Sequence, residues 1–466
     1  VQPAPSIFKA YDIRGIVGDT LTEDVVRSIG QALGLLIRRS GARTCVVGRD
    51  GRLSGPVLVD ALALGLTEAG VDTMDIGQVP TPLVYFAAVT QGGGTGVALT
   101  GSHNPPQYNG LKMMVGGVTL WGNGITGIRQ LIVSGDAQAH CAAIKPEQQG
   151  RRIVALEWVQ RYIDTVVADI HLHRPMRIAI DAGNGVAGAV APELLRRIGC
   201  EVEALYCEVD GSFPNHHPDP AHVENLQDLI AHVRGGHAEL GLAFDGDGDR
   251  LGVVTPSGAV IWPDRQMMLY AADVLRSQPG AEVIFDVKCT RHLATWIRDH
   301  GGVPRMWKTG HSLIKAKLRE TGAPLAGEMS GHIFFNDRWY GFDDALYTAC
   351  RLLEIVSRSD DAGALLEALP NAVSTPELQL STAEGENVAI VEALAQQGVF
   401  PGAVERIVID GIRVEYADGF GLARPSNTTP VIVLRFEADD ASGLARIQSD
   451  FRENLLRIRP GIRLPF

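Results

Sequence analysis

Short apolar runs that close on a glycine- or aspartate-bearing turn recur along the chain, each followed by a stretch of helical periodicity. Cys45 to Asp50 runs into Gly51, Arg177 to Asp181 into a loop ending at Gly185, and Glu282 to Asp286 into Lys288. Helices are expected over Val57 to Glu68, Ala187 to Arg197 and Arg291 to Arg298, because apolar side chains there return every three or four residues. Each stretch holds a second strand that ends in a polar, glycine-bearing turn: Thr95 to Thr100, Leu240 to Phe244 and Pro324 to Gly327. This pattern predicts three related α/β units, each a mixed or parallel sheet flanked by helices.

After Leu369-Pro370 the pattern changes. A strand over Glu377 to Ser381, a helix over Asn387 to Gln397, a hairpin over Arg406 to Tyr416, a strand over Val431 to Phe436 and a helix over Ser442 to Leu456 predict a compact α+β unit. Divisions fall near residues 147, 255 and 369, giving units 1–147, 148–255, 256–369 and 370–466. The fold class is α/β.

Composition narrows the function. With 45% hydrophobic and 21% charged residues, the chain has apolar surface to bury and is not a disordered polymer. A net charge of −12 argues against a nucleic-acid partner, which wants a basic face. It leaves room for a local cationic pocket that holds a phosphorylated small molecule. Six cysteines stand apart without a CxxC pair and read as reduced thiols of a cytoplasmic protein. The stretch Val1 to Ser6 lacks the basic and apolar segments of a secretion signal, and no apolar run is long enough for a membrane helix.

Four loops carry candidate chemistry. Thr100-Gly101-Ser102-His103-Asn104-Pro105-Pro106 places a serine directly after an apolar strand. A bare hydroxyl is a poor nucleophile, and His103 and Lys112 are the polar neighbours that can handle its proton. Asp245-Gly246-Asp247-Gly248-Asp249-Arg250 sets three carboxylates at alternate positions, with glycines to permit a tight turn. Such crowding of like charge calls for a hard divalent cation, and Mg²⁺ fits if a phosphate oxygen completes its shell. A calcium EF-hand starting at Asp245 fails, because Arg250 and Pro256 stand where glycine and glutamate are required. An aspartyl-phosphate hydrolase motif is disfavoured by Asp249 at its last position.

Gly327-Glu328-Met329-Ser330-Gly331-His332 offers a carboxylate and a hydroxyl suited to sugar hydroxyls, while His332 alone reads as structural. Arg424-Pro425-Ser426-Asn427-Thr428-Thr429 sets a guanidinium beside hydroxyl and amide donors, a cradle for phosphate. Tyr11, Arg14, Lys288 and His311 are further candidates to surround an anion. No GxGxxG or GxxxxGK[ST] phosphate loop is complete, so neither a dinucleotide nor ATP is expected.

With these loops in order, the chain resembles the bacterial α-D-phosphohexomutases over nearly its whole length, from Lys9-Ala10-Tyr11-Asp12-Ile13-Arg14-Gly15 to Arg435-Phe436-Glu437-Ala438-Asp439. The resemblance implies four units around a central cleft, the last like a TATA-binding-protein domain. It matches Ser102 to a phosphoserine and Asp245, Asp247 and Asp249 to a Mg²⁺ loop, with the phosphoserine as a further metal ligand. Glu328, Ser330 and His332 match the sugar loop, and Arg424, Ser426, Asn427 and Thr428 the distal phosphate site. Tyr11, Arg14, His103, Lys112, Arg250, Lys288 and His311 line the same cleft by that resemblance.

The implied reaction converts hexose 1-phosphate and hexose 6-phosphate into each other through a hexose 1,6-bisphosphate, with glucose 1,6-bisphosphate as activator. Arg250 stabilises the transferring group, Lys112 or His103 handles the substrate proton, and His332 acts as an acid or orients the sugar. The sugar loop looks like the glucose and mannose version, with glucosamine or N-acetylglucosamine the runner-up. A phosphomonoester hydrolase and a non-catalytic sugar-phosphate binder are the alternatives outside the family. A cytoplasmic monomer is expected.

Overall fold

The computed structural model describes residues 2–91, 93–236 and 238–466. Three sheets repeat one plan. In the first, Thr44–Arg49 lies between Asp72–Gln78 and Gly96–Leu99, parallel to both, and Gly96–Leu99 is closed on its other side by antiparallel Tyr108–Val115. In the second, Met176–Asp181 lies parallel to Cys200–Leu205 and Leu240–Phe244, and Leu251–Val254 runs antiparallel beside the latter. In the third, Glu282–Asp286 takes the same place between Val303–Trp307 and Leu325–Gly327, with Ile333–Phe335 antiparallel at the edge. The expected parallel or mixed sheets are therefore mixed, in one shared order. The first sheet is widened by Ile13–Ile16 and by Arg152–Val154, which lies past residue 147 yet pairs with Asp72–Gln78.

Local sequence explains the helices. Thr22 accepts the Val25 N–H at the start of Glu23–Arg39, Glu23 and Asp24 sit in its first turn, and Arg38 and Arg39 in its last. The helix expected over Ala187 to Arg197 is interrupted: a 3₁₀ turn covers Val186–Ala189 and an α-helix covers Ala191–Arg197. Pro192 explains the break, since it has no N–H to continue the earlier turn but suits the first turn of a new helix.

The fourth unit is an antiparallel sheet of Val373–Ser374, Leu378–Ser381, Val431–Ala438, Gly419–Pro425, Ile412–Tyr416 and Ala403–Ile407. Helices Glu386–Gln397 and Ala441–Ile458 cover it over a core of its own. Gly419–Pro425 was not expected as a strand, because its glycines dilute the apolar pattern. Gly421 is there for packing: a Cβ at that position would meet the Phe451 ring at 2.3 Å.

The fourth unit is bolted to the third by buried charge. Arg413 donates to the carbonyls of Val287 and Cys289 at 2.7 and 2.6 Å, and Arg435 to that of Lys288 at 2.6 Å. Glu437 accepts from the Thr290 hydroxyl at 2.9 Å and the Arg291 N–H at 3.1 Å.

Helix Ala345–Val356 is buried along its whole length and is capped by Asp344. The Asp344 carboxylate accepts from Tyr347 N–H at 3.0 Å, Tyr162 OH at 2.8 Å and Trp339 Nε1–H at 3.2 Å. Burial outweighs these neutral donors and lifts the carboxyl to about 7. The folded state thus holds this proton more tightly than the unfolded chain. The associated stability is complete below the ordinary carboxyl range and is lost as pH rises through about 7. Asp344→Asn keeps an acceptor for the cap and should remove that loss. Between about pH 5 and pH 8, urea unfolding of the native protein should lose about 2 kcal/mol more than the variant. Parallel pH curves for the two proteins would refute the assignment.

Candidate active site

The shared strand order decides where the loops emerge. Ser102, the aspartate loop and the Glu328–His332 loop each connect the third strand of a unit to its antiparallel fourth: Gly96–Leu99 to Tyr108–Val115, Leu240–Phe244 to Leu251–Val254, and Leu325–Gly327 to Ile333–Phe335. Equivalent turns of three units therefore meet at one place.

Ser102 sits in the left-handed region, at φ 50°, which a side chain-bearing residue rarely adopts. The turn is held from behind by Arg52, whose guanidinium donates to the carbonyls of Ser102 (2.9 Å), Asn104 (2.7 Å), Pro105 (2.7 Å) and Tyr108 (2.9 Å). Asp50 pairs with Arg52 Nε at 3.1 Å and accepts from Thr100 Oγ1 at 2.8 Å and Gly101 N–H at 3.0 Å. The Ser102 hydroxyl is left facing His103 Nδ1 at 3.1 Å and Asp245 Oδ2 at 3.4 Å.

Asp245, Asp247 and Asp249 are all fully buried. Asp245 Oδ1 accepts the backbone N–H groups of Gly248 and Asp249 at 3.0 Å and of Arg250 at 3.2 Å, which curls the loop around it. Lys112 Nζ lies 2.8 Å from Asp247 and 2.5 Å from Asp249, and Thr81 Oγ1 donates to Asp247 at 2.5 Å. One lysine faces three carboxylates. Burial, aided by Asp249 and Asp247, pushes the Asp245 carboxyl well up. Burial opposes the charge on Lys112, but Asp247 and Asp249 overcome it and hold the ammonium well above its ordinary range.

Asp247 Oδ1 and Asp249 Oδ1 are buried without a hydrogen-bond partner, and one carboxylate oxygen from each of Asp245, Asp247 and Asp249 lies within 4.8 Å of the other two. Unpaired oxygens of like charge at this spacing fit a divalent metal ion beside the Ser102 hydroxyl.

Across the cleft, Arg250 Nε donates to His332 Nε2 at 3.1 Å. His332 stacks on His311 with ring centres 5.4 Å apart, and Tyr11 meets His311 edge-on at 6.0 Å. Burial, with Arg250 next, holds the His103 imidazole well below its usual range; burial and Lys315 do the same for His311. Glu328 accepts the Gly310 N–H at 2.5 Å, and burial lifts its carboxyl to about 6.

The line of contacts continues to the fourth unit: Tyr11 OH donates to the Thr309 carbonyl at 3.1 Å and meets Asn427 Nδ2. There Arg424 is buried against Asp410 at 2.9 Å, Lys288 pairs with Glu377 at 2.8 Å, and the hydroxyls of Ser426 and Thr428 lie 3.4 Å apart. Arg14 pairs with Asp12 on the first unit. Ser330 is half-buried in the Glu328–His332 loop.

Ser102, His103, Lys112, the three aspartates, Arg250 and His332 thus form one connected group. Lys288, Arg424, Ser426, Asn427 and Thr428 form a second, joined to it through Glu328, Gly310 and Tyr11. Sequence reasoning missed Arg52, Thr81, Lys315, Asp343, Glu377 and Asp410. Arg52 had a signal, an arginine in the turn right after a buried strand; the rest are charged or hydroxyl groups whose partners only the fold supplies.

Comparison with known proteins agrees with this layout. The phosphoglucomutase/phosphomannomutase models match in order: alpha/beta/alpha domain I over residues 5–139, domain II over 160–258, domain III over 262–373 and the C-terminal domain over 377–454. The phosphoglucomutase of Neisseria gonorrhoeae is 55% identical, with 96% of each chain covered. The phosphomannomutase/phosphoglucomutase of Pseudomonas putida is 51% identical over 99% of this chain and 98% of its own. The crystal structure of a phosphoglucomutase/phosphomannomutase family protein from Burkholderia thailandensis superposes over 100% of both chains with a TM-score of 0.93 at 56% identity. The chain belongs to the phosphoglucomutase/phosphomannomutase family.

Proposed function

We propose that this cleft interconverts hexose 1-phosphates and hexose 6-phosphates, with Ser102 carrying the phosphoryl group and a hexose 1,6-bisphosphate as intermediate. The observation that carries the reading is the Ser102 hydroxyl, set on a clamped turn 3.4 Å from a buried carboxylate whose neighbours have unpaired oxygens. Asp245, Asp247 and Asp249 would hold Mg²⁺, which when bound neutralises charge on the transferring phosphoryl oxygens.

The protein's own groups do the rest. Arg250 faces the transferring group as a fixed cation. Lys112, kept charged by Asp247 and Asp249, serves as a second cation and is poorly suited to take a proton. His103 presents Nδ1 to the Ser102 hydroxyl at 3.1 Å and takes or returns its proton. His332 Nε2 accepts the proton of the attacking sugar hydroxyl. The hydroxyl oxygen bonds to phosphorus as the Ser102 Oγ–P bond breaks, and Oγ recovers a proton.

Glu328 and Ser330 grip sugar hydroxyls, with Tyr11 and His311 against the ring. Arg14, Lys288, Arg424, Ser426, Asn427 and Thr428 hold the distal phosphate in either orientation of the sugar. We set the divisions of labour after Val154 and near residues 255 and 369, since Arg152–Val154 completes the first sheet. The fourth unit, an antiparallel sheet under two helices, is read as TATA-binding-protein-like. Among the described residues no helix is long and apolar enough to cross a membrane, and all six cysteines are free. We read the protein as a cytoplasmic monomer that acts on small sugar phosphates.

Mannose differs from glucose only at C2, where one neutral hydrogen bond amounts to about 0.5–1.5 kcal/mol, so both sugars should turn over. With Mg²⁺ and glucose 1,6-bisphosphate present, glucose 1-phosphate should yield glucose 6-phosphate with little inorganic phosphate. Phosphate release at the isomerisation rate would make the protein a hydrolase instead. Glucosamine 1-phosphate preferred by a hundredfold or more would move it to the amino-sugar branch.

A further inference from the structure

Asp343 is wholly buried beneath both cleft histidines. It follows strand Ile333–Phe335, bridges back to Phe334, and stands just before the cap of helix Ala345–Val356, so its backbone is fixed on both sides. Lys315 Nζ takes its Oδ1 at 2.9 Å while lying 4.4 Å from the centre of the Tyr85 ring. That leaves Oδ2 aimed at the imidazoles: 3.0 Å from His332 Nδ1 and 3.7 Å from His311 Nδ1. Both ring nitrogens and this oxygen are buried with no hydrogen-bond partner, so the carboxylate meets the rings as an ion-pair contact.

The opposite edge of His332 settles what that contact does. Arg250 Nε always carries its hydrogen and donates it to His332 Nε2 at 3.1 Å, so Nε2 must be bare. In a neutral imidazole the proton then belongs on Nδ1, facing Asp343 Oδ2. We infer that Asp343, anchored by Lys315, is a positioning residue that keeps the proton of His332 on Nδ1 and so leaves Nε2 unprotonated, with a lone pair that can exchange the Arg250 hydrogen bond for the proton of the substrate hydroxyl.

When Nε2 takes that proton, the imidazolium faces Asp343 Oδ2 and, at 3.6 Å from Nδ1, Asp249 Oδ1. Nε2 gives up the hydrogen bond from Arg250 Nε as it gains the proton, and the hydroxyl electron pair goes to phosphorus. His311, stacked on His332 and turned to the same oxygen, fixes the tilt of the ring. The inference rests on His332 being the proton acceptor, as assigned under the proposed function.

The test is the ring-nitrogen state of His332 in full-length enzyme labelled with [¹⁵N]histidine at pH 8, its signals identified by their loss in His332→Gln. The native protein should show the proton on Nδ1. In Asp343→Asn the new amide can point an N–H at Nδ1, and the proton should move to Nε2. The kcat for glucose 1-phosphate should then fall by about 100-fold or more, with KM within about threefold of native. Lys315→Met should keep the Nδ1 proton and lose about tenfold in kcat, since the carboxylate stays but loosens.

A native His332 protonated on Nε2 overturns the proposal even if Asp343→Asn fails to fold. So does a folded Asp343→Asn with kcat within about threefold of native. Failure of the parent reading looks different: His332→Gln would then keep native kcat whatever Asp343 does.

Discussion

Ser102→Ala protein incubated with glucose 1,6-bisphosphate should keep its unmodified mass, while the native chain gains one phosphoryl group. Its conversion of glucose 1-phosphate should fall by about 10⁴-fold or more, the scale of losing a covalent nucleophile. The variant should fold normally, because the turn does not depend on the hydroxyl. The Ser102 N–H donates to Thr100 Oγ1 at 2.8 Å, and its carbonyl accepts from Arg52 at 2.9 Å. Alanine keeps both bonds and is no worse than serine at positive φ. Mg²⁺ should still bind with at most a modest loss, since the three aspartates are untouched. An alanine variant with native turnover would end the phosphoserine reading.

Arg52→Met is expected to be the most damaging substitution outside the groups that meet substrate. The arginine side chain is completely buried, and its guanidinium is the shared partner of four carbonyls and of Asp50. Methionine fills the space but leaves Asp50 as a buried charge with only neutral donors. Breaking a buried pair in this way costs about 3–5 kcal/mol. Burial already presses the Asp50 carboxyl upward, with Arg52 the chief group acting against it.

The Ser102 turn would also lose the anchor that keeps it left-handed, so kcat per folded molecule should drop by about 100-fold. Arg52→Lys should fall between the two, since one ammonium cannot reach all five acceptors. Urea midpoints and amide exchange over residues 100–108 would report both effects. Lower stability with native kcat per folded molecule would show that Arg52 supports the fold but not the turn.

The reach of sequence reasoning follows from what each feature depends on. Strands such as Cys45 to Asp50 and Leu240 to Phe244 were legible because buried parallel strands are short apolar runs with sharp ends. The Ser102, Asp245 and Glu328 loops stood out because polar groups directly after such strands are unusual. Asp343 and Lys315 did not, since a charged residue read along a chain looks solvated until its partner is known, and theirs lie on other segments. Glu377 was hidden in the same way, paired with Lys288 of another unit, and Asp410 pairs with Arg424 only once the adjacent strand folds back beside it. Gly419–Pro425 was obscured for a different reason: Gly421 makes room for the Phe451 ring instead of advertising a core face.

The bolts between the third and fourth units give the cleft one rigid wall and one thin seam. Arg413 and Arg435 grip three successive carbonyls at Val287, Lys288 and Cys289, so the backbone that carries the Lys288 cation is mechanically part of the fourth unit. Among the described residues, the side-chain hydrogen bond that joins the first and fourth units is that of Asn427 to Tyr11, at the exposed Ser426–Thr429 turn. Prying at the first side breaks a contact that water can replace; prying at the second strips buried guanidinium groups of their acceptors. Lys288 and Arg424 are therefore held as a single jaw, and any movement of the fourth unit would carry both with their spacing, and so the proposed fit to a phosphate, preserved.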